Sequence, residues 1–243
     1  MQILMADRTK RVLLGLALAG ALAGVSGSAA SAAMSSGVRA GAVKFAVRAQ
    51  TADARPLPGA ATPSNAARIQ TIVDAAKSQV GRTTSYDPTY VPLAYPGGDV
   101  PIQTGVCTDV VIRAFRAIGI DLQVVVHQDM LRHFSSYPRT GLSQPDSNID
   151  HRRVRNLATF FTRSGAAVVQ SQVAADYLSG DIVMWDVGRL AHTGLVVDSL
   201  VPGTDRHLIV HNIGDGAQLE DILFAFPITG HYRYLGGSAP VAP

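Results

Sequence analysis

The chain carries one cysteine, Cys107, and seven histidines, the residue types that can share work between a nucleophile and its base. A thiol attacks a carbonyl only as thiolate, and it needs a base within hydrogen-bond reach and a third group to orient that base. An unpaired cysteine cannot close an intrachain disulfide, so Cys107 is either a buried small hydrophobe or a working thiol. From Thr104 onward, Cys107, Val111, Ala114, Phe115 and Ile118 fall on one helical face, with Thr104 as N-cap and Gly119 as the stop. Cys107 is therefore expected in the first turn of a core helix. Unpaired N–H groups and the helix dipole there favour a thiolate, and the same N–H groups can receive an oxyanion.

Position discriminates among the histidines. His127, His133 and His151 fall on expected helices or their ends among polar neighbours, which suits solvated or capping roles. His192 opens an expected strand and is followed by Thr193-Gly194-Leu195-Val196-Val197, where the missing side chain of Gly194 lets another group approach closely. A second strand at 207–213 is joined to it by a loop centred on Pro202-Gly203, a turn signal that pairs the two strands antiparallel. Alternation then groups His192, Gly194 and Val196 on one face, and His207, Ile209 and His211 with them, because Leu195/Val197 and Leu208/Val210 belong together toward a buried side. His211 is the expected orienting residue. A slip of one residue would put Asn212 in its place. Asp109 lies roughly 200° around the helix from Cys107 and so points away from it, which suits a first-turn role facing the helix dipole.

These residues need elements to hold them. A helical period over 66–80 stops at Gly81, and the Tyr/Pro/Gly-rich stretch after it reads as an ordered loop. A further helix is expected to begin near His127. Another, capped by Asp150, runs through Val154, Leu157, Ala158 and Phe161 to Gly165. After Gly180 the segments 181–185, 192–197, 207–213 and 231–234 are short, β-branched or aromatic, and bounded by Gly, Pro and Asp. Helices followed by an antiparallel meander predict an α+β fold, with N-terminal helices packed on an antiparallel β-sheet. The polar segment 148–153 is either a substrate-binding loop or a helix start with a solvated face.

The N-terminus has the layout of a signal peptide: basic Arg8, Lys10 and Arg11, an uncharged apolar run of 14 residues at 12–25, and small residues around Ala30-Ser31-Ala32. That run is shorter than the roughly 20 residues a membrane-spanning helix needs, so no membrane span is expected after processing. The expected organisation is a signal peptide at 1–32, a flexible Ala/Ser/Gly/Thr/Pro-rich linker at 33–65, a hydrolase domain at 66–236 and a disordered tail at 237–243. The leader removes three of the 21 basic residues and one of the 18 acidic ones, leaving a mature net charge of +1 that argues for no nucleic-acid partner.

The order of a helix-start cysteine, the Gly180-Asp181-Ile182-Val183 strand, His192-Thr193-Gly194-Leu195-Val196-Val197 and Ile209-Val210-His211 resembles the NlpC/p60 branch of papain-like cysteine hydrolases. The resemblance implies a papain-like fold in which the cysteine opens a helix packed on the sheet, the base histidine begins a strand and a polar residue on the next strand orients it. The motifs Tyr95-Pro96-Gly97-Gly98-Asp99-Val100-Pro101, Gly105-Val106-Cys107-Thr108-Asp109-Val110-Val111, Asn148-Ile149-Asp150-His151-Arg152-Arg153 and Ile228-Thr229-Gly230-His231-Tyr232-Arg233 are similar, over 67–234, to a bacterial domain-of-unknown-function family typified by the YijF proteins. The NlpC branch usually has Asp before its cysteine and Ser after it, where this chain has Val106 and Thr108, a departure in the pocket around the thiol.

These readings converge on an exported cysteine peptidase or amidase with Cys107 as nucleophile, His192 as base and His211, or Asn212 after a register slip, as orienting residue. Its expected substrate is an extracytoplasmic amide, with peptidoglycan stem peptides implied by the resemblance. Alternatives are a transpeptidase, an amidase on a non-wall substrate, and a zinc-binding or catalytically silent wall module. Cys107, His192 and His211 are widely spaced and no short-spaced ligand pair accompanies them, so no metal and no cofactor are expected.

Overall fold

The computed structural model describes residues 63–139 and 142–237. The expected leader, residues 33–62 of the linker and residues 238–243 of the tail lie outside them. Among the described residues four α-helices precede the main sheet. Helix α1, Asn65–Lys77, opens where the Ser64 hydroxyl accepts the Ala67 N–H at 3.2 Å, and it buries Ile72, Val73 and Ala76. Helix α2, Cys107–Arg116, starts after Val106 and not after Thr104. Thr104 and Gly105 instead form β2, paired in parallel with β1, Ser85–Tyr86. Val106 has no side-chain acceptor, so the Asp109 carboxylate turns back and accepts the Val106 N–H at 2.7 Å.

Helix α3, Leu122–His133, begins a full turn before His127, because Asp121 supplies the cap by accepting the Gln123 N–H at 3.1 Å. Helix α4, Val154–Arg163, does not take Asp150 as its cap. Asp150–Arg152 forms a separate tight turn ahead of it, and Arg153 stands at the N-cap position. The Gly165 stop is as expected: the Ser164 N–H closes on the Phe160 carbonyl at 2.8 Å, and Gly165 has the left-handed φ of 70° that ends a helix.

The sheet follows. Strands β3, Ile182–Val187, β4, Leu190–Leu200, β5, His207–Asn212, β6, Ala217–Glu220, and β7, Ile228–Tyr232, are ordered β6-β5-β4-β3-β7, with every neighbouring pair antiparallel. The α+β class is as expected; β6 is an addition to it. That segment, Ala-Gln-Leu-Glu, is too short and too polar to show a strand period.

The two sheet faces bury different sets. Ile182, Met184, Leu195, Val197 and Val210 pack against α1, α2 and α4 through Ile72, Val110, Val111, Phe115, Leu157 and Phe161. Val183, Trp185, Val187, Val196 and Ile209 pack on the other side with Tyr177 and Leu223. At about 1.5–3 kcal/mol for each large apolar side chain removed from water, both faces contribute to holding the register. A one-residue slip of any central strand would exchange the two sets.

Candidate active site

Two elements meet where the first turn of α2 reaches the rim of the sheet. The β4–β5 ladder ends at the pair Gly194/His211, preceded by Leu195/Val210 and Val196/Ile209. Beyond that pair the Thr193 amide is turned to the Cys107 sulfur. The amides of Cys107 and Thr108 also point at the sulfur, as a helix start dictates. Cys107 is only 4% exposed. Burial outweighs these amides and, with the nearby Asp109 carboxylate, pushes the thiol up to about 12. This corrects the expectation that the helix start alone yields a thiolate: the dipole contribution is present, but desolvation is larger.

His192 is buried, paired across the sheet with Trp185, whose ring centroid is 5.8 Å from the imidazole. Its Nε2 lies 3.1 Å from Nδ1 of His211. Burial, and then the neighbouring His211, push His192 down to about 3. The resting pair is thus a neutral thiol and a neutral imidazole. Among the described residues no hydrogen bond joins the thiol to either ring. By strand alternation both imidazoles share the sheet face of Trp185, Val196 and Ile209, whereas α2 packs on the face of Leu195 and Val197.

Gly194 is what allows the two histidines to meet. A Cβ there would lie 2.7 Å from Ile209 Cγ2, 2.9 Å from the Val210 carbonyl and 3.0 Å from His211 Cβ. Only hydrogen fits that space, so β5 can approach β4 and set His211 beside His192. On its far side, His211 places Nε2 2.9 Å from the Glu220 carboxylate on β6. Glu220 escaped the sequence reading because β6 did. The turn signal Gly214-Asp215-Gly216 before it is the clue that a third strand returns beside β5.

Asn212 is directed elsewhere. Its side-chain amide donates to the carbonyls of Ser85 at 3.2 Å and Gly105 at 3.1 Å, and so ties the segment before Cys107 to the end of β5. Asp109 also has a structural place: besides capping Val106 it accepts from Arg152 Nε at 3.1 Å and Nη2 at 3.0 Å, a buried forked ion pair. Thr108 donates to the Arg152 carbonyl at 3.0 Å. The segment 148–153 is accordingly no solvated helix face. Asp150, His151 and Arg152 are buried, and Ile149, Arg152 and Arg153 line the cavity beside Cys107.

That cavity, of about 260 Å³, is also bounded by Tyr86, Val106 and Ala191. Burial, then the thiol and Asp109, push the Tyr86 phenol up to about 12, so it stays a hydrogen-bond donor. A recess of about 480 Å³ adjoins it, sharing Val154, Arg155 and Ala191 and extending to Trp185, Asp186 and Arg189. The remaining histidines stay outside this site. His127 is 2.8 Å from Asp150, His133 is 3.0 Å from Asp129, and His151 is buried rather than solvated, its Nδ1 without a partner. Among the described residues no three His, Cys, Asp or Glu side chains converge as metal ligands.

The family described as a domain of unknown function, DUF1287, matches residues 73–234. The chain belongs to this family. The DUF1287 region includes every site residue named above, from Tyr86 to Glu220. The YijF protein of Escherichia coli (strain K12) is 53% identical over 166 residues, which is 67% of this chain and 80% of YijF. Among solved structures, NlpC1 and NlpC2 from Trichomonas vaginalis are similar at 15% and 14% identity, each with a TM-score of 0.35. Those matches cover 67% and 68% of this chain and 44% and 46% of theirs, so the chain spans less than half the length of either.

Proposed function

We propose that this DUF1287 chain is a cysteine hydrolase that cleaves amide bonds through an acyl-enzyme on Cys107. One observation carries the reading: a helix-start thiol lining a cavity meets the Thr193 amide, and the preceding residue, His192, is a buried histidine hydrogen-bonded to a second one. Neutral imidazole is the form a general base needs. His192 takes the thiol proton as sulfur attacks the carbonyl, and the carbonyl π electrons move to oxygen, which faces the amides at the start of α2. His192 then hands that proton to the leaving amine as the C–N bond breaks. Water repeats the sequence to release the acid. His211 orients His192 throughout.

Peptidoglycan stem peptides are the proposed substrate and the space outside the cytoplasm the proposed location, supported by the leader layout and by the motif order that resembles NlpC/p60 hydrolases. The test is to incubate purified sacculi with the protein and with Cys107→Ala, and to identify released fragments by mass. The reading expects new amine and carboxylate ends with the intact protein only. New cross-links in place of new ends would make it a transpeptidase, and equal release by Cys107→Ala would end the proposal.

A further inference from the structure

Three neighbouring strands bring three polar side chains to one sheet face. His192 on β4 shares alternation with Val196, whose partner on β5 is Ile209; Ile209 shares a face with His211, and its partner on β6 is Glu220. The contacts follow the same line: His192 Nε2 to His211 Nδ1 at 3.1 Å, and His211 Nε2 to Glu220 Oε2 at 2.9 Å. Each imidazole has two nitrogens, and a neutral ring carries one proton. That leaves little freedom in how the chain is protonated.

We propose that Glu220 is the positioning residue that sets the proton pattern of the whole site. This rests on the reading of Cys107 and His192 as nucleophile and base. An ionised carboxylate only accepts, so the His211 proton sits on Nε2 and is donated to Glu220. Nδ1 of His211 is then a bare acceptor, and the His192 proton must sit on Nε2 to fill it. Nδ1 of His192 is left unprotonated, and it is the one ring nitrogen of the chain still able to take up a proton. When it does, the new imidazolium is balanced through His211 by the Glu220 carboxylate. Glu220 touches neither thiol nor substrate; its effect passes through two rings. The His211 hydrogen bond holds the Glu220 carboxyl below the usual carboxylate range, in keeping with an ionised end to the chain.

The alternative proton pattern shows why the carboxylate matters. With no acceptor beyond it, His211 can carry its proton on Nδ1 and donate it to Nε2 of His192. His192 would then hold its own proton on Nδ1, where it cannot act as a base. An acceptor at 220 excludes that pattern, and nothing else hydrogen-bonds to His211 Nε2 among the described residues.

Long-range proton–nitrogen NMR on protein with ¹⁵N-labelled histidine reads the tautomers without any substrate. The intact protein at pH 7 should show both His192 and His211 protonated at Nε2 alone. Glu220→Gln keeps an acceptor oxygen and should keep both tautomers; Glu220→Leu should convert His192 to the Nδ1–H form or to a mixture. If sacculi are cleaved, Glu220→Leu should lower kcat roughly 10²-fold with KM little changed, and Glu220→Gln should restore part of it. An Nδ1–H His192 in the intact protein, or tautomers unmoved by Glu220→Leu, would overturn the proposal. The expected tautomers in a protein that cleaves nothing would instead overturn the hydrolase reading and leave the proton pattern standing.

Discussion

At the level of single residues, the decisive distinction is between two adjacent side chains at the end of β5. His211 is bonded to His192, whereas Asn212 holds the carbonyls of Ser85 and Gly105. Removing them should therefore have separable effects. His211→Ala should cut kcat for fragment release by about 10²-fold or more, because the base loses its orientation. Asn212→Ala should leave kcat within a few fold but lower stability by about 1–3 kcal/mol, since the buried Gly105 carbonyl and the part-buried Ser85 carbonyl each lose a donor. Turnover and urea unfolding, measured on both variants, check this split. In the sequence, apolar alternation favoured the register that sets His211 beside His192 but left a one-residue slip to Asn212 open, because the loop between the strands is long; the structure pairs Gly194 with His211. The protonation state of Cys107 was not legible there, since spacing reveals a helix start but not how deeply the sulfur is buried.

At the level of elements, strand pairing does the positioning. β4 and β5 approach closely only because Gly194 has no side chain. Gly194→Ala would bring a Cβ within 2.9 Å of the Val210 carbonyl, which is backbone and cannot rotate away. The expected result is a loss of about 1–3 kcal/mol in denaturant unfolding, with turnover falling further than that destabilisation explains because His211 is displaced. The helix side of the site depends on α2, capped by its own Asp109 and locked by Arg152. Neither contact follows from local sequence: Arg152 lies 43 residues along the chain from Asp109, and its approach depends on the tight turn Asp150–Arg152. The same limit explains Glu220. Its strand has four residues and is defined by pairing with β5, not by a period of its own.

At the level of the molecule, burial of neutral histidines links stability to pH. Burial pushes both His151 and His192 down to about 3, while unfolded histidine titrates near about 6.5. Below pH about 6.5 the unfolded chain binds protons that the native rings refuse. The stability these rings contribute is therefore complete above that pH and is lost progressively as pH falls toward 3. The unfolding free energy from urea titration should be level between pH 7 and 8 and decline from about 6.5 to 4.5, by on the order of 1 kcal/mol per histidine per pH unit, and the urea midpoint should fall with it. His151→Gln should make the decline shallower. A midpoint unchanged down to pH 5 would mean that these rings are solvated or protonated in the folded protein.

The central claim is that Cys107 carries the acyl group. The most direct measurement is intact-protein mass spectrometry after mixing with soluble peptidoglycan fragments and quenching in acid, with hydroxylamine added to half of each sample. The account expects a transient mass increase equal to the acyl fragment, mapped to the peptide containing Cys107, removed by hydroxylamine and absent from Cys107→Ala. Fragment release at full rate with no adduct on Cys107, or with Cys107→Ala in place of the native chain, would contradict it.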